Sequence, residues 1–130
     1  MIVLVAEDDK EAMEDISLVF RLCQPNCILE TTNSGKKCLE MMGSKCPDIV
    51  ILGKNLPDCD SFDLLKQIRL YSQVPVIFLS DARDEPEIVK ALGLGADEYI
   101  TKPIRQLEFM AYVRALLRKS KTTLISEKGD

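Results

Sequence analysis

Five short, largely apolar runs punctuate the chain: Ile2 to Ala6, Cys27 to Thr31, Asp48 to Leu52, Val76 to Leu79 and Glu98 to Ile100. Runs of this length, apolar without strict alternation, predict strands buried on both faces of a parallel sheet. After each run the apolar spacing changes to three or four. Met13, Ile16, Val19, Phe20 and Cys23 form one stripe that begins after Asp9, a capping residue, and ends at Pro25. A second, short helix opens at Ser34 and Gly35, turns Cys38, Leu39 and Met42 inward, and is expected to stop at Gly43 and Pro47. A third runs from Ser61 to Tyr71 with Phe62, Leu65 and Ile68 along one side. A fourth, Asp84 to Leu92, is closed by Gly93 and Gly95, and the last spans Arg105 to Lys119.

The alternation is (βα)5. Strands and helices joined by short connections specify a parallel sheet covered on both faces by right-handed crossovers, with a site outside the carboxyl ends of the strands. The residues expected to converge there are Glu7, Asp8 and Asp9; Gly53, Lys54 and Asn55; Ser80 and Asp81; and Thr101 and Lys102. Residues 1–119 read as one domain, and 120–130 as a tail or the start of a linker.

Composition narrows the function. The 130 residues suit one core, and no apolar run approaches the ~18 residues of a membrane span. The N-terminal apolar run is too short for a signal-peptide core and meets three acids at once, so a cytoplasmic protein with no membrane partner is expected. Five cysteines without a C-x-x-C pair, in a chain with no histidine, read as reduced structural thiols. The missing histidine excludes His-based triads and the role of histidine donor in a phosphoryl relay. A formal net charge of -4 argues against this segment gripping a nucleic-acid backbone; Arg114, Arg118, Lys119 and Lys121 fit a solvated helix face.

Taken singly, the strand-end residues carry two readings each. Glu7 and Asp8 are hard oxygen ligands suited to Mg²⁺ with retained waters, or acids that charge the start of a helix. Lys102, before Pro103, can reach across the strand ends, or is a surface lysine. Ser80 offers a hydroxyl that loops commonly solvate. Their joint placement on one sheet edge favours a site.

Four ordered blocks, VLVAEDD, PDIVILGKNLPDCDSFDLLKQIR, PVIFLSDARDE and GADEYITKP, resemble the signature of a response-regulator receiver domain of the CheY-like fold. The resemblance covers residues 1 to about 119. It implies a flavodoxin-like three-layer sandwich with a five-stranded parallel sheet in the order 2-1-3-4-5. In that family an acid pair binds Mg²⁺, an aspartate after the third strand takes a phosphoryl group from a histidine kinase, and a Ser or Thr and a Lys contact the phosphoryl oxygens. By position, Glu7 and Asp8 match the acid pair, Asn55 the carbonyl metal ligand, Ser80 the hydroxyl, Tyr99 the switch aromatic and Lys102 the lysine.

Gly53 matches the phosphoacceptor, and glycine has no carboxylate to act as nucleophile. A Mg²⁺ site, if formed, is then expected to be weak, with Glu7 and Asp8 leaning on Lys102 or Lys54 for compensation. Gly53 could instead serve a turn that needs positive φ. Ser61 departs from the glycine usual after the strand-three turn. Asp48, Asp58, Asp60 and Asp81 are the substitute acceptors to consider.

The segment from DEPEIVKALGLGADEYITKP through LEFMAYVRALLRK resembles the OmpR/PhoB class, in which a receiver precedes a winged-helix DNA-binding domain. The resemblance implies a homodimer through the fourth helix, fifth strand and fifth helix, with Lys90, Asp97, Glu98, Glu108, Arg114 and Arg118 on that face. Tyr112 stands where an arginine is usual. The expected function is a non-enzymatic, atypical receiver controlling a DNA-binding output, with DNA reached only through a domain absent from this chain and a histidine kinase or other protein as regulator. The alternatives are a stand-alone protein-interaction module of this fold and a receiver phosphorylated at a substitute carboxylate.

Overall fold

The computed structural model describes the backbone of residues 1–129 and the side chains of residues 1–120. Strands β1 (Ile2–Ala6), β2 (Ile28–Thr32), β3 (Ile49–Gly53), β6 (Val76–Ser80) and β7 (Glu98–Thr101) form one sheet in the order β2-β1-β3-β6-β7, every pair parallel. Two short strands, β4 (Asn55–Leu56) and β5 (Cys59–Asp60), make a separate antiparallel pair. The five-stranded order is the flavodoxin-like one, as expected. β3 and β6 are buried at every position because helices cover both faces.

The side-chain period of two sorts each strand between two cores. Val3, Val5, Ile49 and Ile51 face α1 (Lys10–Cys23) and α5 (Gln106–Gly129), meeting Ile16, Phe20, Phe109 and Val113. Leu4, Leu52 and Phe78 face the other way, toward Cys38 of α2 (Gly35–Lys45), Leu64, Leu65 and Ile68 of α3 (Ser61–Tyr71), and Ala91 of α4 (Glu85–Gly93). Leu64, absent from the expected α3 stripe, is nearly fully buried.

The caps at Asp9 and Ser34 lie where their side chains accept backbone N–H groups of α1 and α2. Gly43 does not end α2, which runs on to Lys45 and stops at Cys46 in a left-handed conformation, φ 48°. One glycine costs a helix roughly 1 kcal/mol, too little to break one whose inner face is packed. Gly95, at φ +117°, supplies the turn that leads from α4 to β7. α5 continues to Gly129 through residues expected as a linker, since no proline or glycine interrupts it after Pro103.

The β4-β5 hairpin has no counterpart among the five apolar runs. It is tied down by Asp58, whose carboxylate accepts from the Gly35 N–H at 2.8 Å, the Ser34 hydroxyl at 2.8 Å and the Lys36 N–H at 3.3 Å. The Gly35 bond, then that of Ser34, holds the Asp58 carboxyl below its ordinary range.

All five cysteines are free thiols. Burial, and then neighbouring Cys59, push the Cys38 thiol up to about 12, whereas Cys46 is exposed at the end of α2. A thiol alkylator at pH 8 should therefore modify Cys46 first and spare Cys38 until denaturant is added. Peptide mass spectrometry checks this, and equal rates at the two sites would contradict the packing of α2.

Candidate functional site

The carboxyl edge of the sheet is held in register beyond the strands themselves. The Glu7 N–H donates to Thr32 O at 3.0 Å, that of Lys54 to Leu79 O at 2.9 Å and that of Lys102 to Ser80 O at 2.9 Å. Glu7, Gly53, Lys54, Ser80 and Lys102 are thus fixed along one edge by backbone geometry alone.

Gly53 is the last residue of β3, and the turn reading fails, because φ there is not positive. What a side chain at this position would meet is the movable end of Glu7. A Cβ at this position would stand 2.1 Å from Glu7 Oε2 and 2.6 Å from Glu7 Cδ. The Glu7 carboxylate thus fills the space that a side chain on residue 53 would need. Glu7 is 2% exposed, and its Oε1 accepts from Lys102 Nζ at 2.8 Å and from the Asp9 N–H at 3.0 Å. Lys102 Nζ also lies 3.7 Å from Asp9 Oδ2. Glu7 Oε2 is buried with no hydrogen-bond partner among the described residues. Ser61 is buried, and its hydroxyl donates to Gly53 O at 2.6 Å, so the residue that departs from the expected glycine pins α3 to the end of β3.

The expected acid pair is split. Glu7 is buried against Lys102, while Asp8 is exposed and accepts from Asn33 Nδ2 at 3.4 Å. Asn55 is exposed in the hairpin, opposite Asp60. Among the described residues no three His, Cys, Asp or Glu side chains are grouped to hold an ion. Mg²⁺ demands well-placed oxygens in near-octahedral array, and a donor set whose buried member already serves an ammonium does not fit it.

Lys54 does not compensate Glu7. It donates to Glu87, on the first turn of α4, in a close ion pair. The other Glu87 oxygen accepts from the Ser80 hydroxyl at 2.6 Å and, in a short contact, from the Tyr99 hydroxyl. Tyr99 also reaches Ala82 O at 2.7 Å, so its one proton is shared. Burial works against the charge on Glu87, but the hydrogen bonds from Lys54, Ser80 and Tyr99 outweigh it and hold its carboxyl below the ordinary value. Burial, then the bond to Glu87, raise the Tyr99 phenol to about 12.

The strand ends therefore carry two ion pairs, Glu7 with Lys102 and Glu87 with Lys54. Glu87 leaves little trace in the sequence. Its spacing from Asp84 reads as a capping box, and its N–H does donate to Asp84 at 3.2 Å, but the side chain turns inward instead of back to the cap.

Other expected residues lie elsewhere. Asp48 accepts from the Ile2 N–H at 2.7 Å, Asp58 accepts from the first backbone N–H groups of α2, Asp60 caps α3, and Asp81 is exposed. Of the charges expected on one helix-strand-helix face, Asp97 is turned to Arg69 at 2.9 Å and to the Val76 N–H at 2.7 Å. Arg114 donates to Cys23 O, at the end of α1, at 3.5 Å. Both residues remain exposed while making these contacts. Lys90 sits 4.3 Å from the Phe62 ring centre, Glu108 pairs with Arg105 at 3.6 Å, and Arg118 is exposed on α5. Burial, then Asp97, raise the pKa of the partly buried Glu98.

Lys102→Met should cost about 3–5 kcal/mol in urea unfolding, because Glu7 is left charged and unpaired. Gly53→Ala should cost less, since the Glu7 side chain can swing out. Equal losses would mean that Glu7 has no way out. The pH dependence follows from Glu87. Its folded pKa lies below its ordinary value of 4.5, so its contribution is present above that value and is lost as pH falls through the folded value. Between about pH 5 and 3 the parent should lose more stability than Glu87→Gln.

A response regulator receiver domain model matches residues 3–114. The chain is similar to the transcriptional regulatory protein CreB of Escherichia coli (strain K12), 35% identical over 115 residues that cover 88% of this chain and 50% of that protein. It is also similar to the cell cycle response regulator CtrA of Brucella ovis, 34% identical over 122 residues that cover 93% of this chain and 52% of that one. The chain spans about half the length of these relatives. Among solved structures, the receiver domain of Francisella response regulator 1452 superposes with a TM-score of 0.80 at 27% identity, covering 92% of this chain and 98% of that one. A two-component response regulator from Clostridium difficile gives a TM-score of 0.85 at 23% identity over 92% and 98%, a likeness of fold. A family match over nearly the whole sheet, joined to acid, hydroxyl and lysine at its carboxyl edge, places the chain in the response regulator receiver domain family.

Proposed function

We propose that this receiver works without aspartyl phosphorylation and regulates a transcriptional output carried by a DNA-binding domain outside this chain. The observation that carries the reading is the Glu7 carboxylate, which lies where a side chain on residue 53 would have to lie and is bound to Lys102. Gly53 offers no nucleophile, and the lysine that would meet a phosphoryl oxygen is already engaged. The similarity to a transcriptional regulatory protein about twice the length of the matched segment supports the output. The domain is non-enzymatic and cytoplasmic. Its regulator is a histidine kinase or another protein that acts through its surface.

A two-state receiver needs differential free energy to shift it, and without phosphate that bias comes from its own contacts, from assembly or from a partner. The α4-β7-α5 face is the proposed dimer surface. Lys90, Asp97, Glu98, Glu108, Arg114 and Arg118 contribute to it, Asp97 and Arg114 while also bonding backbone groups of their own chain. Sedimentation should show a two-fold dimer at high micromolar concentration without a phosphoryl analogue. Monomer alone would remove this surface from the proposal.

The decisive experiment is phosphoryl uptake from acetyl phosphate with Mg²⁺. The unmodified chain should take no label and should bind Mg²⁺ weakly. Gly53→Asp should push Glu7 off Lys102, gain Mg²⁺ affinity and accept label, because in-line transfer needs mainly a nucleophile and positioned cations. Acid-labile label on the unmodified chain would overturn the reading and point to a substitute carboxylate.

A further inference from the structure

Helix α4 buries only Glu87 and Ala91, and it leaves Val89 and Leu92 in solvent. A nine-residue helix with so little apolar burial is weakly held by the hydrophobic effect. Its other attachments are charged. Phe62 of α3, Phe78 of β6 and Tyr99 of β7 stack in a row, with ring centres 5.1 and 5.9 Å apart. α4 grips both ends of that row: Lys90 covers the Phe62 ring at one end, and Glu87 holds the Tyr99 hydroxyl at the other. Three residues apart, Glu87 and Lys90 stand on one face of the helix. Glu87 further joins α4 to the end of β3 through Lys54 and to the end of β6 through Ser80.

We propose that Glu87 is a built-in latch: one carboxylate, bound at once by Lys54, Ser80 and Tyr99, sets the position of α4 on the sheet and thereby the surface that α4 and β7 present, with no added phosphoryl group. The carboxylate is an acceptor shared by hydroxyls from two strands and an ammonium from the residue after a third, so moving α4 away leaves several donors unsatisfied together. Release therefore requires something that takes Lys54, whose side chain is 34% exposed. An acidic group on a partner, competing with Glu87 for Lys54, is the chemistry that would open it.

The latch deepens the phosphate-independent reading and rests on it, but the two fail separately. Hydrogen exchange on the whole chain, followed peptide by peptide, tests it. Glu87→Gln keeps the shape and removes the charge; Lys54→Met removes the cation from the opposite side. Each should speed exchange across residues 85–93 at least tenfold while α1 and α3 stay within twofold, and Tyr99→Phe should give a smaller change in the same segment. Unchanged exchange in α4 for Lys54→Met, or acceleration spread evenly over all helices, overturns the latch. If Glu87→Gln does not fold, Lys54→Met decides alone, since it alters a partly exposed residue. Phosphoryl label on the unmodified chain would instead sink the phosphate-independent reading and leave the exchange pattern of α4 as it is.

Discussion

The buried pair between Glu7 and Lys102 is the constraint around which this edge of the sheet is arranged. A carboxylate only 2% exposed needs a partner, and the pairing joins the residue after β1 to the residue after β7 across the strands between them. Two charges taken out of water repay their desolvation only with good geometry and further hydrogen bonds. Here one oxygen of Glu7 has two donors and the other has none among the described residues. The unpartnered oxygen is the one directed at Gly53. Any side chain at residue 53 would contest that position, so the identity of residue 53 and the conformation of Glu7 are one decision, made together.

Much of this was legible in the chain. The five apolar runs located the strands to within a residue: burial on both faces leaves a continuous apolar signal in β1, β3 and β6, whereas the edge strands β2 and β7 are only partly buried, β2 with no buried position. Asp9, Ser34 and Asp84 announced helix starts for the same local reason. The ends were less readable. Gly43 resembles a stop signal, yet it sits on an open face where a missing side chain removes no packing, and α2 passes through it.

The site was half legible. Strand ends could be placed from the alternation, so Glu7, Gly53, Ser80 and Lys102 were identifiable as neighbours. Which cation serves which anion was not, because it depends on side-chain directions that only the packed helices decide. Lys54 was an equal candidate for Glu7 until α4 brought Glu87 beside it. Glu87 itself sits three residues after a capping aspartate, where an acid is ordinary, and only its burial at 9% exposure marks it as different. Asp97 and Arg114 stay exposed, as their place in the sequence suggests, while also bonding backbone groups of their own chain.

Charge balance at the strand ends then bears on what the edge can accept. Glu7 with Lys102 and Glu87 with Lys54 make two nearly neutral pairs, with Asp9 also near Lys102. A phosphoryl group brings close to two negative charges and strong acceptors, and it needs cations and hydroxyls free to meet it. Lys54, Lys102 and the Ser80 hydroxyl are already bound to carboxylates of the same chain. An incoming anion must therefore displace an internal carboxylate from each donor it would use, and a displaced Glu7 must find water from a buried position. The same contacts that make glycine acceptable at residue 53 thus oppose the entry of a further anion, so glycine at this position and the internal pairing of the edge belong to one arrangement.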